Sequence, residues 1–191
     1  MTPARSRRIL KLFGWTFDEG NNPDITRCVM VMAPHTSIWD FVIGRMSVWI
    51  LGIPAKILVK KEFFRFPLGG LLRRLGAIPV DRGNRNNNIV SQAVAHFREN
   101  ENFTLILTPE GTRKYAKRWK HGFYDIATAA GVPIVLTYID YGKKQAGVGI
   151  SFSPSGNYEK DITEIQDFYR NITARYPENF NMSEMYWQNE K

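Results

Sequence analysis

Short apolar segments bounded by glycine, proline and polar clusters alternate along this chain with longer stretches of helical periodicity. That alternation constrains the fold more than any other feature. Strands are expected at 27–33, 56–59, 77–80, 103–108, 133–138 and 148–152, each rich in branched or aromatic residues. Helices are expected at 37–51, 88–100, 121–130 and 162–176. The first ends near Gly52 and Pro54 and the third at Gly131, residues suited to helix C-termini; Asn88, behind a polar run that starts at Arg82, suits an N-cap. Strands alternating with helices predict an α/β fold, with a central mixed, partly parallel sheet flanked by helices. No repeat, low-complexity tract or linker divides the 191 residues, so a single domain over 1–191 is expected. The tail from Pro177 (177–191) reads as irregular, with Met182, Met185, Tyr186 and Trp187 available to pack back.

Ligand-binding groups in an open α/β sheet gather where strands end, and three blocks follow expected strands. The first is His35-Thr36-Ser37-Ile38-Trp39-Asp40. On one regular helix, side chains five positions apart point roughly 140° from each other, so these two cannot meet there. They can meet if His35 sits on the turn behind Pro34 and the helix starts near Ser37. A histidine held by a carboxylate is the equipment of a general base. Taken alone, the pair reads equally well as an ordinary turn histidine and a first-turn aspartate. The second block carries Asp81 and Arg82 out of a strand, which alone is a solvated ion pair. The third is Thr108-Pro109-Glu110-Gly111-Thr112-Arg113. Its arginine fork suits phosphate, Gly111 lets backbone approach a ligand, and the Thr112 hydroxyl adds a donor. Glu110 would orient an arginine or meet a substrate hydroxyl. Alone, this block is a glycine-containing turn.

The other histidines compete weakly. His96 lies on the expected 88–100 helix and reads as packing or surface, while His121 stands among Lys117, Arg118 and Lys120, a poor setting for a base. Three scattered histidines and one cysteine give no zinc-type spacing, and there is no glycine-rich phosphate loop or dinucleotide fingerprint. Cys28, inside an apolar run, reads as a core residue that forms no internal disulfide.

A net charge of +8 asks for an anionic partner. In residues 1–20, Arg5, Arg7, Arg8 and Lys11 alternate with Ile9, Leu10, Leu12, Phe13, Trp15 and Phe17. Residues 56–75 repeat the theme with Phe63, Phe64, Phe66, Leu71 and Leu72 among Lys60, Lys61, Arg65, Arg73 and Arg74. Such interleaving suits a bilayer surface; it also suits stacked bases, and the second stretch also fits a core face with solvated lysines. No apolar run approaches the roughly 20 residues of a membrane span, and no secretory signal is expected.

Together, His35-x4-Asp40, Gly76 to Arg82, Pro109 to Arg113 and Val132-Pro133-Ile134, in this order over about half the chain, resemble the glycerophospholipid acyltransferase family, in particular its 1-acyl-sn-glycerol-3-phosphate acyltransferases. Departures are Pro34 before the histidine, Thr108 before the third block and Lys114 after it. The resemblance implies an O-acyltransferase with His35 as base and Asp40 as its partner. It further implies that Arg82, Glu110, Gly111, Thr112 and Arg113 bind the phosphate of the acceptor. Acyl-CoA or acyl-ACP would be the co-substrate, with no cofactor and no metal. The implied acceptor is a lysophospholipid, first of all lysophosphatidic acid; glycerol 3-phosphate and lyso amino-acid lipids are the alternatives within the family. The implied partners are an anionic membrane surface and an acyl carrier protein, with no nucleic acid, at the cytoplasmic face of the cell membrane. A non-catalytic module binding anionic lipid or nucleic acid, and a His-Asp hydrolase, are the competing classes.

Overall fold

The computed structural model describes residues 1–20, 25–80 and 89–182. One seven-stranded sheet organises them, in the order β1 (Thr16–Asp18), β7 (Gln145–Phe152), β6 (Ile134–Asp140), β2 (Arg27–Ala33), β5 (Phe103–Leu107), β3 (Lys56–Lys60), β4 (Ala77–Val80). Every neighbouring pair is parallel except β6 with β7. The helices among the described residues are α1 (Pro3–Leu12), α2 (Ile38–Leu51), α3 (Leu68–Arg74), α4 (Ile89–Glu99), α5 (Gly122–Ala130) and α6 (Tyr158–Tyr169).

β2 lies at the centre and shows why both faces of the sheet are covered. Side chains alternate across a strand: Val29, Val31 and Ala33 join the cluster made with α4, α5 and α6, through Phe97, Phe123, Ile126, Ile162 and Ile165. Cys28, Met30 and Met32 face the other way, into clusters that include Val135, Val148, Ile43 and Leu10. A parallel strand buried on both faces must be apolar nearly throughout, which is the composition of 27–33. Cys28 is fully buried, as a core residue.

The expected strands are all present, with ends shifted by up to three residues; β7 begins at Gln145 because its hairpin with β6 extends down to the Asp140–Gln145 pair. Three differences are larger. The basic-aromatic segment 1–20 is not free for a membrane along its length. Residues 3–12 form α1, capped by Thr2, and Leu10 is buried beside Ile43 and Ile50 of α2, with Trp15 and Phe17 packed into the two clusters of that face. Residues 68–74, read only as part of a basic stretch, form α3. The last helix begins at Tyr158, four residues before the expected start, because the Asn157 side chain caps it by accepting from the Lys160 amide. It ends at Tyr169 and not at Tyr176, since the chain beyond is drawn off to other partners: the Thr173 carbonyl accepts from the Tyr141 amide at 2.9 Å, and the Tyr176 amide donates to Thr36 Oγ1 at 3.2 Å. A 3-10 turn (Pro177–Asn179) follows and Met182 is buried. Met185, Tyr186 and Trp187 lie outside the described residues, as do Asn88 and Arg82.

Because β2, β3, β5 and β6 run in one direction, the segments leaving Ala33, Lys60, Leu107 and Asp140 emerge at one edge of the sheet. There the chemistry-bearing segments after β2 and β5 meet.

Candidate active site

The site is built on the start of α2. Ser37 is its N-cap, in extended conformation (φ −140°, ψ 157°), and its hydroxyl accepts from the Trp39 amide at 3.2 Å. Asp40, at the third helical position, closes a capping box: its Oδ2 accepts from the amides of Thr36 and Ser37, both at 2.8 Å. Those bonds satisfy amide donors that a helix start leaves without partners. The helix thus begins where a His35–Asp40 contact requires it to begin. His35 stands on the preceding turn, its Nδ1 3.3 Å from the same Oδ2, close enough for an ion pair but not aligned as a hydrogen bond. The imidazole is partly exposed (18%) and the carboxylate is not (1%).

A second oxygen holds the carboxylate from the far side. The Tyr141 hydroxyl, just past β6, donates to Asp40 Oδ1 at 2.7 Å. Burial, then the bond and charge of Asp40, push this phenol far above its ordinary range, against an opposing pull from Arg175, so it stays protonated and donating. Arg175 also lies 5.6 Å from the Tyr141 ring and 5.8 Å from that of Trp39. Burial alone would raise the Asp40 carboxyl; the adjacent His35 imidazole and the hydrogen bonds from Tyr141 and the two amides outweigh it and hold the group below its usual 3.8. Asp40 is therefore an ionised partner for an imidazolium.

The block after β5 reaches the same place. Glu110 is buried (3% exposed), and its Oε1 accepts from the His35 amide at 2.8 Å. Burial pushes its carboxyl up to about 7. The contact fixes the backbone of the His35 turn. Gly111 has φ +63°, a conformation that favours glycine, and its amide donates to the Thr108 carbonyl at 3.1 Å. Thr112 turns its hydroxyl to the Lys114 amide at 3.2 Å, and Arg113 is exposed. Of the residues singled out in the sequence, the structure thus joins His35, Asp40 and Glu110 by direct contacts and sets Gly111, Thr112 and Arg113 beside them. Arg82 lies outside the described residues.

Two cavities flank this arrangement. A cleft of about 510 Å³ is lined by apolar side chains, among them Met32, Phe41, Leu58 and Ile126, together with His35, Arg113 and Lys120. A more polar cavity of about 420 Å³ is lined by Ser37, Trp39, Thr112, Arg113, Lys114 and Tyr176. Arg113 borders both. An imidazole backed by an ionised carboxylate can take a proton from a hydroxyl, the apolar cleft suits an alkyl chain, and the cations suit an anionic group. Among the described residues no group of three or more His, Cys, Asp or Glu side chains could hold a metal ion, and no helix is long and apolar enough to cross a membrane.

Tyr141 and Arg175 were not foreseen. Their one sequence signal is position: Tyr141 directly follows a strand, as the expected site residues do. The setting of His121 also differs from the sequence reading, since its Nδ1 lies 2.6 Å from Asp125 Oδ1, one turn along α5. His96 stacks on Phe103 with ring centres 5.6 Å apart, in a packing role.

The sequence model of the Acyltransferase family matches residues 18–139. Over 122 residues the chain is 33% identical to a 1-acyl-sn-glycerol-3-phosphate acyltransferase of Cocos nucifera, covering 61% of this chain and 38% of that protein. The chain thus spans about two fifths of the length of that curated relative. The crystal structure of the 1-acyl-sn-glycerophosphate acyltransferase PlsC from Thermotoga maritima shares its fold, with a TM-score of 0.56 and 18% identity over 87% of this chain and 74% of that one.

Proposed function

From its membership of the Acyltransferase family, we propose that this enzyme moves a fatty acyl group from an acyl-CoA or acyl-ACP thioester to the hydroxyl of a lysophospholipid, with lysophosphatidic acid giving phosphatidic acid as the leading case. The observation that carries this reading is the His35–Asp40 pair, 3.3 Å apart, beside an apolar cleft that Arg113 also lines. His35 takes the proton of the acceptor hydroxyl while Asp40 steadies the imidazolium that forms. The acceptor oxygen attacks the thioester carbonyl, the tetrahedral intermediate collapses, and the departing thiolate recovers the proton from His35. No covalent acyl-enzyme, metal or cofactor takes part. Holding both substrates against the imidazole supplies much of the acceleration.

The remaining roles rest on the chemistry of the side chains and, for residues 110–113, on their place beside His35. Arg113 binds the phosphate of the acceptor, assisted by Arg82, with Gly111 and Thr112 shaping the turn that presents it. Glu110 acts through the His35 turn whose amide it holds. The apolar cleft receives an acyl chain. The enzyme works as a peripheral protein on the cytoplasmic face of an anionic membrane, where its acceptor resides.

Thioester consumption measured with and without lysophosphatidic acid tests the reading. Transfer that requires the acceptor and disappears in His35→Ala, with the melting temperature retained, is the expected result. Release of free fatty acid without acceptor would make the protein a hydrolase, and no thioester consumption at all would make it a binding module. Transfer to an amino-acid lyso-lipid but not to lysophosphatidic acid would give Arg113 a carboxylate to bind.

A further inference from the structure

Between β3 and β4 the chain leaves the sheet, and residues 61–74 bury almost nothing. The 3-10 turn (Lys61–Phe64) contributes no buried residue and α3 contributes only Gly69. Phe66 is 99% exposed, and Phe63, Leu68 and Leu71 are each more than half exposed. The unit is nevertheless well built. The amides of Leu68 and Gly69 donate to the Arg65 carbonyl at 3.1 and 3.2 Å. Gly69 packs so closely on the Phe64 backbone that a Cβ would fall 2.2 Å from the Phe64 carbonyl oxygen. The Arg73 guanidinium lies 5.3 Å from the Phe64 ring. Leu68 and Leu71, three apart on α3, share a face. Apolar side chains presented together to water by an ordered element mark a contact surface.

Charge selects the partner. Lys60, Lys61, Arg65, Arg73 and Arg74 are all exposed here, with Glu62 as the one acidic residue between them. A second copy meeting this patch across a two-fold axis would set these cations against themselves, whereas anionic headgroups above an acyl layer satisfy both the cations and the aromatic and leucine side chains. Position agrees. β3 runs parallel to β5, and β5 to β2, so the unit departs from the edge of the sheet that carries His35. Ile57 and Leu58, immediately before it, line the apolar cleft.

We infer that residues 61–74 form the element that seats this protein on an anionic bilayer: Phe63, Phe66, Leu68 and Leu71 enter the interfacial layer, and the flanking cations meet the headgroups. α1 turns Leu10 into the core and offers only Leu12 and Phe13 as large exposed apolar side chains, a smaller patch than that of 61–74. The inference rests on the reading of the acceptor as a membrane lipid and adds the surface that would bring the cleft to it.

Phe66→Cys carrying a polarity-sensitive thiol dye reads the insertion directly, since the natural Cys28 is fully buried and stays unlabelled. Ile150→Cys, at a half-exposed position on β7, is the control. On vesicles of phosphatidylcholine with phosphatidylglycerol, the label at 66 should shift to the blue and the label at 150 should not. Vesicles of phosphatidylcholine alone should give a much smaller shift. In unlabelled protein, Phe66→Asp with Leu71→Asp should weaken vesicle binding at least tenfold at an unchanged melting temperature. The proposal is overturned if the protein sediments with anionic vesicles while the label at 66 stays unshifted, or if it does not bind them. It is equally overturned if the shift follows protein concentration without lipid, as for a second copy, or needs an acidic carrier protein. Vesicle binding requires no turnover, so an error in the acceptor would leave these readouts in place.

Discussion

A single oxygen, Asp40 Oδ2, both caps α2 through the Thr36 and Ser37 amides and faces His35; Glu110 is its opposite in electrostatic setting. Asp40 has donors enough to stay ionised although buried, whereas Glu110 Oε1 accepts from one backbone amide and its buried Oε2 has no hydrogen-bond partner among the described residues. Its folded carboxyl, near 7, stands above its unfolded value of 4.5. The folded state therefore holds this proton more tightly, and the associated stability is complete below about pH 4.5 and is lost as the pH rises to about 7. Across that window the loss amounts to about 3 kcal/mol. Asp40, displaced downwards, acts in the other direction and loses its contribution only in acid below its ordinary 3.8. In Glu110→Gln the amide oxygen can still accept from the His35 N–H while nothing titrates. The stability of this variant relative to wild type, from urea unfolding, should rise by about 3 kcal/mol between pH 4.5 and 7, and acyl transfer should persist. A flat difference would show that Glu110 ionises freely, and loss of transfer would give its charge a direct part in acceptor binding. His35 and Asp40 were legible in the sequence because their geometry is local to one turn and one helix start. The hydrogen bond from the His35 amide to Glu110 spans 75 positions and that from the Tyr141 hydroxyl to Asp40 spans 101, so no local spacing could announce either.

The legible elements are the six expected strands, β2 to β7, and α2, α4 and α5, with α6 legible in its middle though not at its ends; burial on one or both faces enforces the periodicity of the central ones. Those missed are short or owe their place to tertiary contacts. β1 spans only Thr16–Asp18 and exists by pairing with β7, and α3 is almost wholly exposed. In α1, composition alone does not say which side chains are buried. Arginines interleaved with leucine and aromatic residues read as a surface for lipid, yet the helical turn puts Leu10 on the buried side (3% exposed) and Leu12 outside (83% exposed). Leu10→Ala should therefore lower stability by about 2–4 kcal/mol, as for other large-to-small core substitutions. Leu12→Ala should stay within about 0.5 kcal/mol of wild type. Urea unfolding midpoints of the two variants check this directly; equal and small effects would mean that α1 is only lightly attached to α2.

At the scale of the whole molecule, the parallel run of β2, β3, β5 and β6 delivers the His35 turn, the basic unit at 61–74, the Thr108–Arg113 loop and Tyr141 to one edge of the sheet. Two cavities of different character open there, and Arg113 lines both. That position separates the two substrates in a measurable way. If the acyl chain lies in the apolar cleft and the anionic end of the acceptor in the polar one, removing the guanidinium deletes a charge-assisted contact worth about 1.5–3 kcal/mol to the acceptor. Arg113→Ala should then raise the acceptor KM roughly ten- to a hundredfold, since each 1.4 kcal/mol is a factor of ten, while the donor KM stays near wild type. Arg113→Lys keeps the charge but loses the two-pronged fork, so its acceptor KM should fall between those of wild type and the alanine variant. Steady-state kinetics with each substrate varied in turn decides the assignment. A raised donor KM with an unchanged acceptor KM would put the thioester carrier's phosphate, and not the lipid's, against Arg113, and the polar cavity would then be the donor's.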